Sequence, residues 1–271
     1  MHFHESREHR ALRTALRGLE KQFSGFGTAQ FDYSGLQTHM VKVLSMDLEE
    51  PNNMPKFFTA CLASLLLDPD QKYDQKKRSA YLEFNSTSEI HRRPIDCARN
   101  TIAYLASYVL SNEMGSETET YATSWSSISS LGDRPFEDLD EYSYPEFGVT
   151  KAIEVKDRSY PHVKAMIYNN LDGTDGQLLR GEIIMVLRII HAQARRARLL
   201  EHTIVPVLLF SFMGPQHARI IEAYFDGSSL VMRPTRLFDL REKDQALIKS
   251  FGQWWLGGLT GQTKVPVHLR S

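Results

Sequence analysis

Two residues of complementary chemistry stand two apart in the run Val149-Thr150-Lys151-Ala152-Ile153-Glu154-Val155-Lys156. The run alternates, which predicts a strand, and successive side chains of a strand point to opposite faces. Thr150, Ala152, Glu154 and Lys156 therefore share one face, and Val149, Ile153 and Val155 share the other, mostly apolar one. Carboxylate oxygens are ligands for hard cations. An ammonium beside them can meet negative charge that develops during a reaction. The plain alternative is an ion pair on an exposed sheet face, which contributes little to stability. Further carboxylates lie upstream at Glu137, Asp138, Asp140, Glu141 and Glu146.

This constellation resembles the PD-(D/E)xK nuclease superfamily. The resemblance rests on Glu154-Val155-Lys156, on the apolar approach Ala152-Ile153 and on Pro145-Glu146 upstream. It implies a restriction-endonuclease-like core that runs helix, three strands, helix, strand. The pattern supplies that order as helix 94–112, strands 118–126, 142–146 and 149–156, helix 178–200 and strand 203–212. It also implies a divalent cation, Mg²⁺ or Mn²⁺, and phosphodiester hydrolysis of nucleic acid. Glu154 would hold the cation together with an acid of a neighbouring strand, and Lys156 would orient the attacking water and stabilise the charge developing on the phosphate. One position departs from the family pattern, because Glu146 stands where Asp is usual. Its closeness to Glu154 requires a tight hairpin turning near Phe147-Gly148, and Asp138 or Asp140 takes the ligand role if the loop folds back. The catalytic set implied is Glu154, Lys156 and Glu146, and the metal set is Glu146, Glu154, Asp138 and Asp140. If no second acid reaches the ion, the fold persists without the activity.

The helix after this strand carries Arg188, His191, Arg195 and Arg198 at spacings of three and four, with Arg196 beside them. Arg188, Arg195 and Arg198 are the candidate phosphate contacts, set against the reading of a solvated outer face paired with acids such as Glu201. Gln177 and Glu182 begin the same helix, where polar residues assist the metal in the superfamily. Helix initiation, with Thr174 or Asp175 capping, is the reading the sequence favours there. The segment His202–Leu240 is similar to proteins of filamentous fungi, a resemblance that implies no activity.

The elements that must position these residues follow from periodicity. Leu12, Leu16, Leu19 and Phe23 predict a helix over 5–23, and two more helices are expected at 36–46 and 55–67. A strand is expected at 203–212, a hairpin around Asp226-Gly227 and a closing helix at 244–256. The expectation is an α/β fold, a mixed β-sheet flanked by helices over 91–271, with a mainly helical region over 1–90. Those N-terminal helices are the candidate surface for a protein partner.

Composition narrows the classes. Formal net charge is −1, so nucleic acid would be held by a local basic patch rather than a global field. Two isolated cysteines, Cys61 and Cys97, argue against structural zinc and fit a reducing compartment. The charged N-terminus and the short apolar run Ile204–Met213 point to an intracellular protein of cytoplasm or nucleus without a membrane span. No GxSxG, HExxH, P-loop or GxGxxG occurs. Three classes stay open: a metal-dependent nuclease, a nuclease-fold binding protein without catalysis, and an unrelated α/β enzyme of small-molecule metabolism.

Overall fold

Helix α1 (Arg7–Gly25) forms where its apolar residues recur at helical spacing, and Ser6 caps it by accepting the His9 N–H at 3.1 Å. Its stripe of Leu12, Leu16, Leu19 and Phe23 is buried against α3 (Arg180–Ala194). Helix α2 (Pro94–Met114) and helix α4 (Gln245–Leu256) pack on the opposite face of the sheet, and Asp244 caps α4 through the Leu247 N–H. The computed structural model describes residues 6–69, 80–114, 124–128, 131 and 136–264.

The sheet between these helices is mixed. Its main strands are β1 (Val41–Val43), β2 (Trp125–Ser127), β3 (Phe147–Val155), β4 (Val163–Asp172), β5 (Val207–Gly214), β6 (His217–Phe225) and β7 (Leu230–Pro234), and the two-residue strands Asp140–Glu141 and Phe238–Asp239 pair with β3 and β6. The main strands lie in the order β1-β7-β6-β5-β4-β3-β2. Strands β4 and β5 are parallel, joined by a crossover through α3, and β1 runs parallel to β7. The remaining neighbours are antiparallel. Ala152, Ala165, Ile167, Leu209 and Ile221 face α1 and α3, while Ile153, Met166, Leu208, Phe210 and Ile220 face α2 and α4. With two covered faces, the central strands read as near-continuous apolar runs rather than alternating ones.

Several expectations change here. The segments 149–156 and 203–212 belong to one sheet but are not neighbours, because β4 lies between them. The expected turn at Phe147-Gly148 is absent. Residues 147–155 form one continuous strand, irregular only between Val149 and Lys151, where a register shift carries Val149 to the face of Ala152. Residues 36–46 are not a helix. A short helical turn, Tyr33–Leu36, leads through a 3-10 turn into β1, which completes the sheet by pairing with Leu230–Met232. Residues 55–67 are not a helix either, apart from the 3-10 turn Ala63–Leu65. The chain there is held extended by buried ions: Glu222 accepts the Phe57 N–H at 2.8 Å, and Arg233 donates to the Asn53 and Met54 carbonyls. Residues before 90 thus share both cores with those after it. Of the strand expected at 118–126, residues 118–123 lie outside the described residues. No helix among the described residues is long and apolar enough to cross a membrane.

Candidate functional site

Glu154 sits one residue from the end of β3, opposite Val163 on β4 and Ser126 on β2. It is 3% exposed, so it is a buried carboxylate and not half of a surface pair. One oxygen accepts from Arg196 Nη1 and, at 3.4 Å, from Gln193 Nε2; the other faces Arg158 Nε at 3.1 Å. Arg196 follows the C-cap of α3 and holds its guanidinium 4.9 Å from the centre of the Phe136 ring. Arg158 is left-handed, with φ of 56°, in the turn between β3 and β4. Asp157 orders that turn by accepting the Ser159 N–H at 2.9 Å and its hydroxyl.

Lys156 lies beyond the end of β3, exposed, and its backbone N–H pairs with the Ser124 carbonyl. Arg195 and Arg198 are also exposed, and neither forms an ion pair among the described residues. Burial, then the adjacent Arg196 guanidinium, pull the Arg198 pKa down. Burial likewise lowers that of His191, helped by Arg17 and Arg195. Arg17 Nε donates to His191 Nε2 at 3.2 Å, which extends the cationic surface along α1 and α3. Arg188 does not join it. Its Nε donates to Glu20 and its Nη1 to the Asp138 carbonyl, so its donors are turned inward. Helix α3 ends at Ala194, so Arg198 stands on the following 3-10 turn and not on the helix.

The candidate acids occupy the other end of β3. Asp140 pairs with Gly148 across a short ladder, six positions from Glu154, or roughly 20 Å at the rise of a strand. Glu146 precedes the strand and accepts from Arg99 Nη2 at 2.8 Å, and Arg99 also lies 4.4 Å over the Tyr168 ring. The Tyr168 hydroxyl reaches Asp140 at 3.4 Å, and burial raises the Asp140 pKa. Gly148 permits this approach, because a Cβ there would collide with Asp140 Oδ1 and the Tyr168 hydroxyl. Asp138 is exposed, with φ of 66°.

A divalent cation needs several oxygen ligands around one point. Glu154 meets guanidinium groups instead, and no group of three His, Cys, Asp or Glu that could hold a metal occurs among the described residues. The residues present around Glu154 therefore do not fit Mg²⁺ or Mn²⁺. Glu182, named with Gln177 as a candidate to assist the metal, caps α3 by accepting the Leu179 N–H at 2.7 Å and pairs in the core with Arg219. Gln177 donates to Asp32. Arg158 and Arg196 escaped the sequence reading as partners of Glu154: one lies in a turn, the other 42 positions away. The only signal was the density of arginine after residue 188.

Comparison with family models, curated proteins and solved structures gives no match for this chain, so the geometry of the site carries the functional argument alone.

Proposed function

We propose that this chain is a nuclease-fold protein that binds nucleic acid through its backbone phosphates and does not hydrolyse it at Glu154. The observation that carries the reading is the pair of guanidinium groups held by the buried Glu154 carboxylate, beside exposed Lys156, Arg195 and Arg198. Arg158 and Arg196 contact Glu154, and Arg198 lies close enough to sense Glu154, Arg158 and Arg196, so three guanidinium groups gather around one buried carboxylate. Arginine forks suit phosphate oxygens, and a carboxylate behind them fixes their geometry before the ligand arrives. Such a patch answers the near-zero net charge, since contacts to phosphate need only local charge.

The order of elements supports a restriction-endonuclease-like core. Helix α2, strands β2, β3 and β4, helix α3 and strand β5 occur in the order of that superfamily, with the short strands Asp140–Glu141 and Gln177–Leu179 between them. In this frame Glu154 stands near the end of the middle strand of the three and Lys156 just beyond it, whereas the motif belongs on the strand that precedes the helix. Strand β4 carries Tyr168, Asn169 and Asn170 toward its end and supplies no such motif.

The test is fluorescence anisotropy with labelled DNA and RNA strands and duplexes, from about 50 to 200 mM salt. Binding should weaken with salt with a logarithmic slope of about −2 to −4, the range for three or four phosphates. Digestion of the same substrates with Mg²⁺ or Mn²⁺ runs in parallel. Absence of binding at the lowest salt removes the nucleic-acid reading. Metal-dependent cleavage that vanishes in Glu154→Gln, with the variant still folded, restores the nuclease.

A further inference from the structure

Tyr160 lies two residues from Arg158 in the turn between β3 and β4 and is 44% exposed. Its ring packs at an angle against two histidines, with centroids 6.2 Å from His162 and 6.0 Å from His202. Both histidines are themselves held. His162 is buried, with Nε2 3.2 Å from the Thr260 carbonyl, and His202 Nδ1 lies 2.7 Å from the Thr263 hydroxyl. The ring is therefore braced from the protein side while nearly half of the residue meets solvent. The cations of the site lie on the elements that carry this ring: Arg158 is on the same turn, and Arg198, which senses the charges of Arg158 and Glu154, stands four residues before His202. Of the nearby acids, Asp157 is engaged with Ser159, and Glu201 pairs with Lys264 at 2.6 Å.

Tyr142 and Tyr144 are more exposed, at 78% and 77%. They stand among Asp140, Glu141 and Glu146, where a phosphate chain is repelled. Among the described tyrosines, Tyr160 is the exposed one on the turn that carries Arg158.

A braced aromatic face beside phosphate-binding cations matches the requirement of single-stranded nucleic acid. The cations track the backbone, and an unpaired base stacks on the ring. A duplex keeps its bases stacked inside, so the ring gains nothing from it beyond contact with sugar and phosphate. We infer that the site takes single-stranded nucleic acid, with Tyr160 as the platform for one base and Arg158 and Arg198 on the flanking phosphates. This rests on the phosphate-binding reading above.

Three labelled probes of equal length separate the two: a single strand, its duplex, and an abasic strand with the same phosphates and no bases. Wild type should prefer the single strand to both others. Tyr160→Ala should weaken the single strand about five- to a hundredfold, the scale of one stacked base, and leave the abasic strand and duplex within about twofold. Tyr160→Phe, which keeps the ring, should restore most of the loss. Arg198→Ala should weaken all three probes. Tyr160→Ala binding the single strand as wild type does, or losing the abasic strand equally, overturns the stacking role while the phosphate reading stands. Wild type binding no probe at low salt overturns both.

Discussion

At its Phe147 end, strand β3 meets Asp140, Glu146 and two exposed tyrosines; at its Val155 end, Glu154 lies among Arg158, Arg196 and Arg198. One strand thus separates two surfaces of opposite charge. The acids are partly solvated and meet separate partners, Glu146 with Arg99, Asp140 with the Tyr168 hydroxyl and Glu141 with Ser143. At the other end a single buried carboxylate serves several cations, and a surplus of positive charge is left toward solvent. The contrast teaches that a carboxylate's neighbours decide its role. The same glutamate that could ligate a metal beside other acids becomes, among guanidinium groups, the anchor that positions them.

The largest effect that would test this contrast is on stability. Glu154→Leu leaves Arg196 partly buried without its partner and should cost about 3 kcal/mol, the scale of breaking a buried pair. Glu146→Leu, which breaks a half-exposed pair, should cost about 1 kcal/mol or less. Urea denaturation of both variants checks this, and equal losses would erase the distinction between the ends.

The second effect belongs to the basic end alone. Burial pulls the His162 pKa down to about 4. The unfolded state therefore takes up a proton first, and stability falls as pH drops from about 6.5 towards 4. Between pH 7 and pH 5 the loss from this group should be about 2 kcal/mol. His162→Phe should flatten that part of the stability–pH curve measured by denaturation; a slope identical to wild type would remove His162 as its source.

Affinity gives the third. Reversing Arg198 to Glu should weaken nucleic-acid binding by about tenfold or more at low salt, whereas reversing Glu146 to Lys should alter it by less than about threefold. Comparable losses from both reversals would mean that binding surveys the whole surface. The smallest effect is at Asp140. Burial raises its pKa, so the folded state takes the proton first and this group favours the fold more as pH falls through that raised value. Asp140→Asn should shift the melting temperature at neutral pH by no more than a few degrees, upward if at all.

Much of the helical framework was legible. Helices α1, α2 and α4 follow from apolar spacing and, for α4, from the capping Asp244, and the β6–β7 hairpin follows from Asp226-Gly227, where Gly227 takes φ of 97°. Strand β4 was not. It is covered on both faces, so it lacks alternation, and Lys164 and Asn169 look like surface residues until their buried partners are known. Sequence pattern predicts helices at 36–46 and 55–67 because short apolar runs do not distinguish a helix from an extended segment laid on a core. At the site, the face of Glu154 was legible from strand period. Its partners were not, since nothing local links residue 154 to residue 196.

Lys164 carries a consequence for synthesis of the chain. This buried amine on β4, whose pKa burial pulls well below the ordinary lysine range, donates to the carbonyls of Trp254 at 2.8 Å, Trp255 at 2.9 Å and Gly257 at 2.7 Å, at the end of α4. Those acceptors are made some ninety residues later. On the ribosome, strand β4 therefore carries an amine that it cannot bury at low cost until residue 257 has emerged from the exit tunnel. The sheet's centre and its last helix become one cooperative folding event, and nascent chains stalled before that point should remain open to protease while those stalled well beyond it do not.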